Sequence, residues 1–163
     1  SDLTDILIKK IFQLTNPSKL PNQDFLICAV GGYGRKHLAP YSDIDLLFVN
    51  NPKIPEKELK RTIEQILYPL WDLGMKVGHA VRTFKEVISL SKKEQIIKTS
   101  ILDARLILGC NEVFKNIITQ YTKEFSKKAG IFLKEKVNER KKNIKKIGFY
   151  YFKNEPNLKE SEG

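Results

Sequence analysis

Two aspartates separated by one residue, Asp43 and Asp45, lie in the segment AVGGYGRKHLAPYSDIDLLFV at residues 29–49. Their surroundings are apolar and typical of a buried strand, on which residues two apart point to the same face of the sheet. Two carboxylates about 6–7 Å apart at Cα can share one or two divalent cations. Without a cation they would repel each other, and one would tend to hold a proton. The pair therefore indicates a magnesium site.

Phosphate chemistry is indicated by the residues just upstream. Gly31 and Gly32 end an apolar run, and they leave room for a phosphate to approach backbone N–H groups at a helix start. Arg35 and Lys36 place positive charge close to these glycines, and Ser42 could cap locally or contact a phosphate. Since magnesium commonly binds through one or two carboxylates plus substrate phosphates, the segment favours a nucleotide site. The alternative is a pair of strands with aspartates at an exposed turn.

Composition narrows the class of protein. The chain has 163 residues, of which 41% are hydrophobic, but no apolar run reaches the roughly 18 residues that a membrane span needs. The first residues are too charged for a signal peptide, and Cys28 is expected to be a reduced core thiol, so we expect a cytoplasmic protein. The net charge of +10 attracts nucleotides, nucleic acid or acidic protein surfaces without choosing among them.

Hydrophobic periodicity predicts the elements that position these residues. The predicted order is helix, strand, short helix, strand, long helix, strand, and then only helices from Thr83 onward. Pro69 is expected to kink or end the long helix, and Gly74 is expected to cap it. The predicted helices are 3–14, 33–39, 55–73, 84–93, 94–109, 111–125 and 131–152, and the predicted strands are 24–32, 43–49 and 75–83.

This order predicts an α+β fold, with a small mixed β-sheet, helices on one face and a helical region after it. The expected domains are a sheet-containing core at 1–82, N-terminal helix included, and a helical region at 83–163 that ends in a truncated tail.

The opening segment resembles the glycine–carboxylate signature of the nucleotidyltransferase superfamily, which has the fold of DNA polymerase beta. More closely, YPLWDLGMKVGHAVRT, SILDARLILG and EPNLKE resemble the N-terminal domain of bacterial PII uridylyltransferase/uridylyl-removing enzymes, from about Phe25 to Lys159. The resemblance implies an enzyme of nitrogen regulation that transfers UMP from UTP to a tyrosine of the PII signalling protein and releases pyrophosphate. Two magnesium ions, with manganese possible in their place, would assist.

The resemblance also implies roles for the residues above. Asp43 and Asp45 would hold the metal ions, backbone around Gly31 and Gly32 would cradle the β- and γ-phosphates, and Arg35 or Lys36 could add positive charge there. Such a site suits an in-line displacement at the α-phosphorus.

The superfamily usually adds a third carboxylate from the next strand, but MKVGHAVRT contains neither Asp nor Glu. His79 could accept the tyrosine proton, hydrogen-bond a phosphate, or be a structural imidazole. Asp103 could reach the site or pair with Arg82, so that both a catalytic role and a structural salt bridge are open; on a helix it would not face Arg105.

Further nucleotide contacts are open. Arg82 is a candidate on the third strand, and Asn157 and Lys159 could approach the nucleotide from the helical region.

Other functions also remain open. The chain could act on RNA or use ATP, although nucleic acid is the less favoured acceptor, or it could bind nucleotide without catalysis. Family members are longer, with an HD phosphohydrolase domain and glutamine-sensing ACT domains. Since His37 and His79 are the only histidines here, no HD pattern exists and we expect no deuridylylation. No segment resembles the ACT domains, so we also expect no glutamine control.

Overall fold

The computed structural model describes residues 2–15, 20–38, 42–90 and 100–127, together with the single positions 130, 133, 134, 137, 138, 140 and 141. Two candidate residues, Asn157 and Lys159, lie outside the described residues. No helix in the described part of the chain is both long and apolar enough to cross a membrane. The elements are α1 Asp2–Thr15, β1 Phe25–Ala29, α2 Gly31–Gly34, β2 Ile44–Asn50, α3 Glu56–Asp72, β3 Val77–Thr83, α4 Phe84–Leu90, β4 Arg105–Leu108 and α5 Asn111–Ser126.

The four strands form one mixed sheet in the order β3-β2-β1-β4. β1 runs antiparallel to both β2 and β4, whereas β2 and β3 are parallel. Every residue of β1 is buried, which explains its continuous apolar sequence FLICA. The predicted α+β class and the mixed sheet are therefore confirmed.

Alternate residues of the sheet contribute to two apolar clusters, one on each face. On one face Ile27 and Phe48 pack with residues of α1 and α3, which is the expected helical layer. On the other face Cys28 and Leu47 pack with residues of α4 and α5, so that face is covered as well. The second layer includes Val87 of α4 and Ile117 and Tyr121 of α5.

The prediction of helices alone after Thr83 is wrong at one place. Arg105–Leu108 forms the edge strand β4 against β1, within a stretch for which a helix over 94–109 was expected. Four residues are too few for periodicity to separate a strand from a helix, and β4 is defined by its pairing with a distant strand. Gly109 consequently follows a strand and is not a helix cap.

β4 pairs with β1 and so belongs to the same sheet as the three earlier strands. The chain forms two compact units, Ser1–Phe125 and Ser126–Gly163.

The two helices next to the candidate site end by different means. α3 continues through Pro69 to Asp72, so the helix does not end at the proline. It stops at Gly74, whose positive φ of 75° and backbone bonds form a Schellman cap, as the sequence predicted. α2 is one turn at Gly31–Gly34, earlier and shorter than the helix expected over 33–39, because Lys36 adopts a φ of 63°.

Candidate functional site

The glycine turn and the two aspartates lie at one end of the sheet, where β1 ends and the other three strands begin. Two backbone hydrogen bonds hold this end of the sheet together. The N–H of Val30 donates to the carbonyl of Asp45 at 3.1 Å, and the N–H of Ile44 donates to the carbonyl of Lys76 at 2.8 Å. α2 starts directly after β1, at the same end of the sheet. The glycine turn and the aspartates are therefore neighbours, as the sequence predicted.

Asp45 is the second residue of β2 and is half-buried, whereas Asp43 precedes the strand and is exposed. By alternation, the side chain of Asp45 lies on the face that carries Leu47 and Val49. That is the face covered further along the strands by α4 and α5.

The Asp45 carboxylate lies between two glycines from different elements. A Cβ atom added at Gly78 of β3 would lie 2.8 Å from Asp45 Oδ1, and one added at Gly31 would lie 3.4 Å from Oδ2. Gly31 also has a φ of 58°, which favours glycine. The two glycines thus leave a cradle that side chains would fill.

This arrangement fits a divalent cation such as magnesium. Carboxylate oxygens are its preferred protein ligands, and it usually needs only one or two of them beside substrate phosphates and water. Asp43 and Asp45 would supply these two. Among the described residues, no group of three or more His, Cys, Asp or Glu side chains is placed to hold a metal ion.

A polar cluster of Asp5, Tyr33 and Arg105 anchors α2. Tyr33 is fully buried, and its hydroxyl donates a 2.6 Å hydrogen bond to Asp5 Oδ1. Arg105 of β4 donates to both carboxylate oxygens of Asp5 and, at 3.4 Å, to the Tyr33 carbonyl. The Arg105 guanidinium also lies 5.5 Å from the centre of the Tyr33 ring.

This cluster changes the acidity of its members. Burial alone would raise the pKa of Asp5, but the hydrogen bonds from Arg105 and Tyr33 outweigh burial and hold that pKa below its ordinary value. Burial, and then the hydrogen bond to Asp5, raise the pKa of the Tyr33 hydroxyl. The carboxylate therefore stays ionised and the phenol stays protonated at neutral pH.

Asp103 lies beside α2, but in a turn and not on the expected helix. Its Oδ2 accepts a 2.5 Å bond from Arg35 Nη1, with the two side chains 33% and 51% exposed respectively. Asp103 therefore pairs with Arg35, and not with Arg82 as the sequence suggested. Arg82 donates to the Val81 carbonyl at 2.7 Å and lies four residues along β3 from Gly78, about 13 Å away.

His79 lies on the opposite face of the sheet from Asp45. It follows Gly78, the register partner of Asp45, so alternation turns its ring towards Phe48 and Trp71, at 6.3 Å and 6.2 Å between ring centroids. The structure does not bring His79 together with the aspartates.

Ser42 is exposed and lines a groove of about 270 Å³, together with Ile44, Gly74, Met75 and Lys76. Sequence reasoning missed Asp5, Arg105 and Gly78 as parts of this region. No local signal marks them, because each acts on a residue distant in the chain.

With the fold and this geometry established, the chain belongs to the nucleotidyltransferase domain family, which matches residues 9–108. It is 41% identical to the bifunctional uridylyltransferase/uridylyl-removing enzyme of Phenylobacterium zucineum (strain HLK1), over 100% of this chain and 17% of that protein. The enzyme of the same name from Azospirillum brasilense is 40% identical, over 99% of this chain and 17% of its own length. The family resemblance predicted from the sequence is confirmed.

The chain thus spans about a sixth of the length of these curated relatives. A solved toxin–antitoxin structure with AMP-PNP is also similar, with 11% identity and a TM-score of 0.47 over 78% of this chain and 94% of that one. That likeness is too weak to support any inference about function.

Proposed function

We propose that this nucleotidyltransferase domain transfers UMP from UTP to a tyrosine of the PII signalling protein, with magnesium as cofactor and pyrophosphate as the second product. The observation that carries the proposal is the Asp45 carboxylate, cradled by Gly31 and Gly78 beside a glycine turn. Its support from comparison is the uridylyltransferase name of relatives 37–41% identical over nearly the whole chain.

Each residue of the site has a role in this reaction. Asp43 and Asp45 would hold the magnesium ions, which when bound activate the attacking oxygen and neutralise the departing pyrophosphate. Backbone at Gly31 and Gly32 would receive the β- and γ-phosphates, where no side chain obstructs them. Arg35, oriented by Asp103, adds a positive charge at the same end of the sheet, beside the glycine turn.

The bond changes are those of an in-line displacement. The tyrosine oxygen forms a bond to the α-phosphorus as the bond from that phosphorus to the pyrophosphate oxygen breaks, and the phenolic proton passes to solvent water. The chain's contribution is to position the triphosphate and compensate its charge, which is where most of the catalysis of phosphoryl transfer arises.

The test is to incubate the chain with labelled UTP, magnesium and a PII protein, with ATP and RNA in parallel reactions. We expect tyrosine-linked UMP. Label on RNA, or label from ATP alone, would favour a different nucleotidyltransferase, and nucleotide binding without transfer would favour a silent module.

The double variant D43N/D45N should lose transfer by at least about 100-fold while its circular dichroism spectrum is unchanged. Wild-type activity in that variant would overturn the assignment of the aspartates.

A further inference from the structure

Gly78 occupies a particular place in the sheet. It is the register partner of Asp45 in the parallel pair of β2 and β3, so a side chain at residue 78 would point to the same face as that carboxylate. The described glycines with positive φ are Gly31, Gly74 and Gly109. Gly78 is not among them, so its backbone conformation is one that alanine adopts freely.

A side chain at residue 78 is therefore opposed by the Asp45 carboxylate and not by the backbone conformation, and the carboxylate keeps its present position only while residue 78 is glycine. An added Cβ would lie 2.8 Å from Asp45 Oδ1, closer than real Cβ contacts allow, whereas at Gly31 the corresponding distance to Oδ2 is 3.4 Å. One side of the carboxylate is thus in ordinary contact range and the other is open only because residue 78 has no side chain.

We propose that Gly78 is a positioning residue for the cation site, an inference that rests on the proposed function. The missing side chain lets the Asp45 carboxylate lie against β3, in the orientation in which it would hold a divalent cation. Any larger residue at position 78 would turn the carboxylate away and weaken cation binding, without touching the cation itself.

This role also gives a physical reason for the missing third carboxylate on β3. An aspartate at position 78 would need the volume that Asp45 Oδ1 occupies, and the next position on that face is Ala80. β3 therefore contributes space to the site and leaves the remaining cation ligands to come from substrate phosphates, water or another part of the chain.

The test is the variant G78A, with cation binding as the readout. Mn²⁺ is titrated into the chain and the free ion is followed by electron paramagnetic resonance, with and without a UTP analogue that cannot be cleaved between the α- and β-phosphates. We expect the Mn²⁺ dissociation constant to rise about 10–100-fold, as for other residues that orient a metal ligand. The melting temperature should stay unchanged or rise, because alanine suits a strand better than glycine does.

A matched control is G74A, which adds the same methyl group where nothing lies within 4 Å but φ is 75°. It should lower the melting temperature and leave Mn²⁺ binding unchanged. In a D45N background, G78A should cause no further loss of Mn²⁺ binding, since its effect passes through Asp45.

Three results would overturn the inference: Mn²⁺ affinity in G78A equal to that of the wild type, additional loss in the D45N background, or a wild-type chain that binds no Mn²⁺ with or without the analogue. A wild-type chain that binds Mn²⁺ and responds to G78A as expected, yet labels no acceptor, would instead contradict only the proposed UMP transfer.

Discussion

The hydroxyl of Tyr33 donates a 2.6 Å hydrogen bond to Oδ1 of Asp5, a residue 28 positions earlier in the chain. This bond links α1 to the glycine turn, and Arg105 joins both residues to the edge strand β4. The turn that would receive the triphosphate is therefore fixed by three elements, and its anchor can be disturbed without altering any residue at the mouth of the site.

Replacing Asp5 by asparagine should destabilise the fold in a pH-dependent way. The pKa of Asp5 is lowered from its ordinary value of 3.8, so the carboxylate stabilises the folded state above about pH 4 and loses this contribution as the pH falls through its folded pKa. At pH 7 we expect D5N to lower the free energy of unfolding by about 2–3 kcal/mol. Urea unfolding at pH 3 to 7 measures this, and the wild-type minus D5N difference should shrink below pH 4.

The control for this measurement is Y33F, which keeps the Asp5–Arg105 ion pair and removes one hydrogen bond. It should cost about 1–2 kcal/mol. A D5N difference that is constant from pH 7 to pH 3 would contradict the ionised anchor.

Replacing Asp103 by asparagine separates a positioning role from a catalytic one. Because both side chains of the Arg35–Asp103 pair are partly exposed, the pair contributes at most about 1 kcal/mol to stability, and D103N should unfold close to the wild-type temperature. Arg35 loses its charged partner, so we expect the KM for UTP to rise several-fold with little change in kcat. Steady-state kinetics with varied UTP measures both.

A double-mutant cycle completes this test. The variant R35A/D103A should be no worse than R35A alone, since Asp103 acts through Arg35. A fall in kcat for D103N as large as that for D43N/D45N would instead make Asp103 a catalytic residue.

Replacing His79 by phenylalanine should leave transfer almost intact. The imidazole lies against Trp71 and Phe48 on the face away from Asp45, and a phenyl ring preserves that packing. We expect kcat within about threefold of the wild type and the same pH profile. General-base catalysis is typically worth about 100-fold or more, so a loss of that size in H79F, together with a changed pH profile, would place His79 in the reaction.

Replacing Gly34 by alanine should be strongly destabilising. A Cβ at this position would lie 2.2 Å from the carbonyl oxygen of Asp103 and 3.0 Å from that of Ala29, and both are backbone atoms that cannot swing aside. We expect a loss of about 1–3 kcal/mol in urea unfolding. The control G130A adds a methyl group in a helical position with nothing within 4 Å, and should be neutral or stabilising by up to about 1 kcal/mol. Equal effects of the two variants would contradict the close packing at Gly34.

Local patterns predicted several elements correctly where the deciding signal lies within one segment, although the long helix expected over 94–109 was wrong. The amphipathic α3, its cap at Gly74 and the buried strands around the aspartates all follow from spacing that lies within one segment. The mouth of the site was predictable for the same reason, because Gly31 and Asp45 are close in sequence.

What sequence reasoning missed depends on partners that are distant in the chain. β4 is a strand because it pairs with β1, some 80 residues before it, and no property of RLIL announces that pairing. His79 was a reasonable candidate by residue type, but the face on which it lies is set by the register of β3 against β2. Gly78 gave no signal of its own, since its role is visible only as the space beside Asp45.

Asp5 and Arg105 meet across a sequence separation of 100 residues, and both support a turn whose signature is contained within about 20. A peptide that carries the whole glycine–aspartate signature would lack these supports, so the sequence motif alone does not form the site. Because Arg105 belongs to β4, the turn has all of these supports only in a chain in which β4 has docked against β1. Nucleotide binding beside the glycine turn should therefore require that the whole first unit is folded.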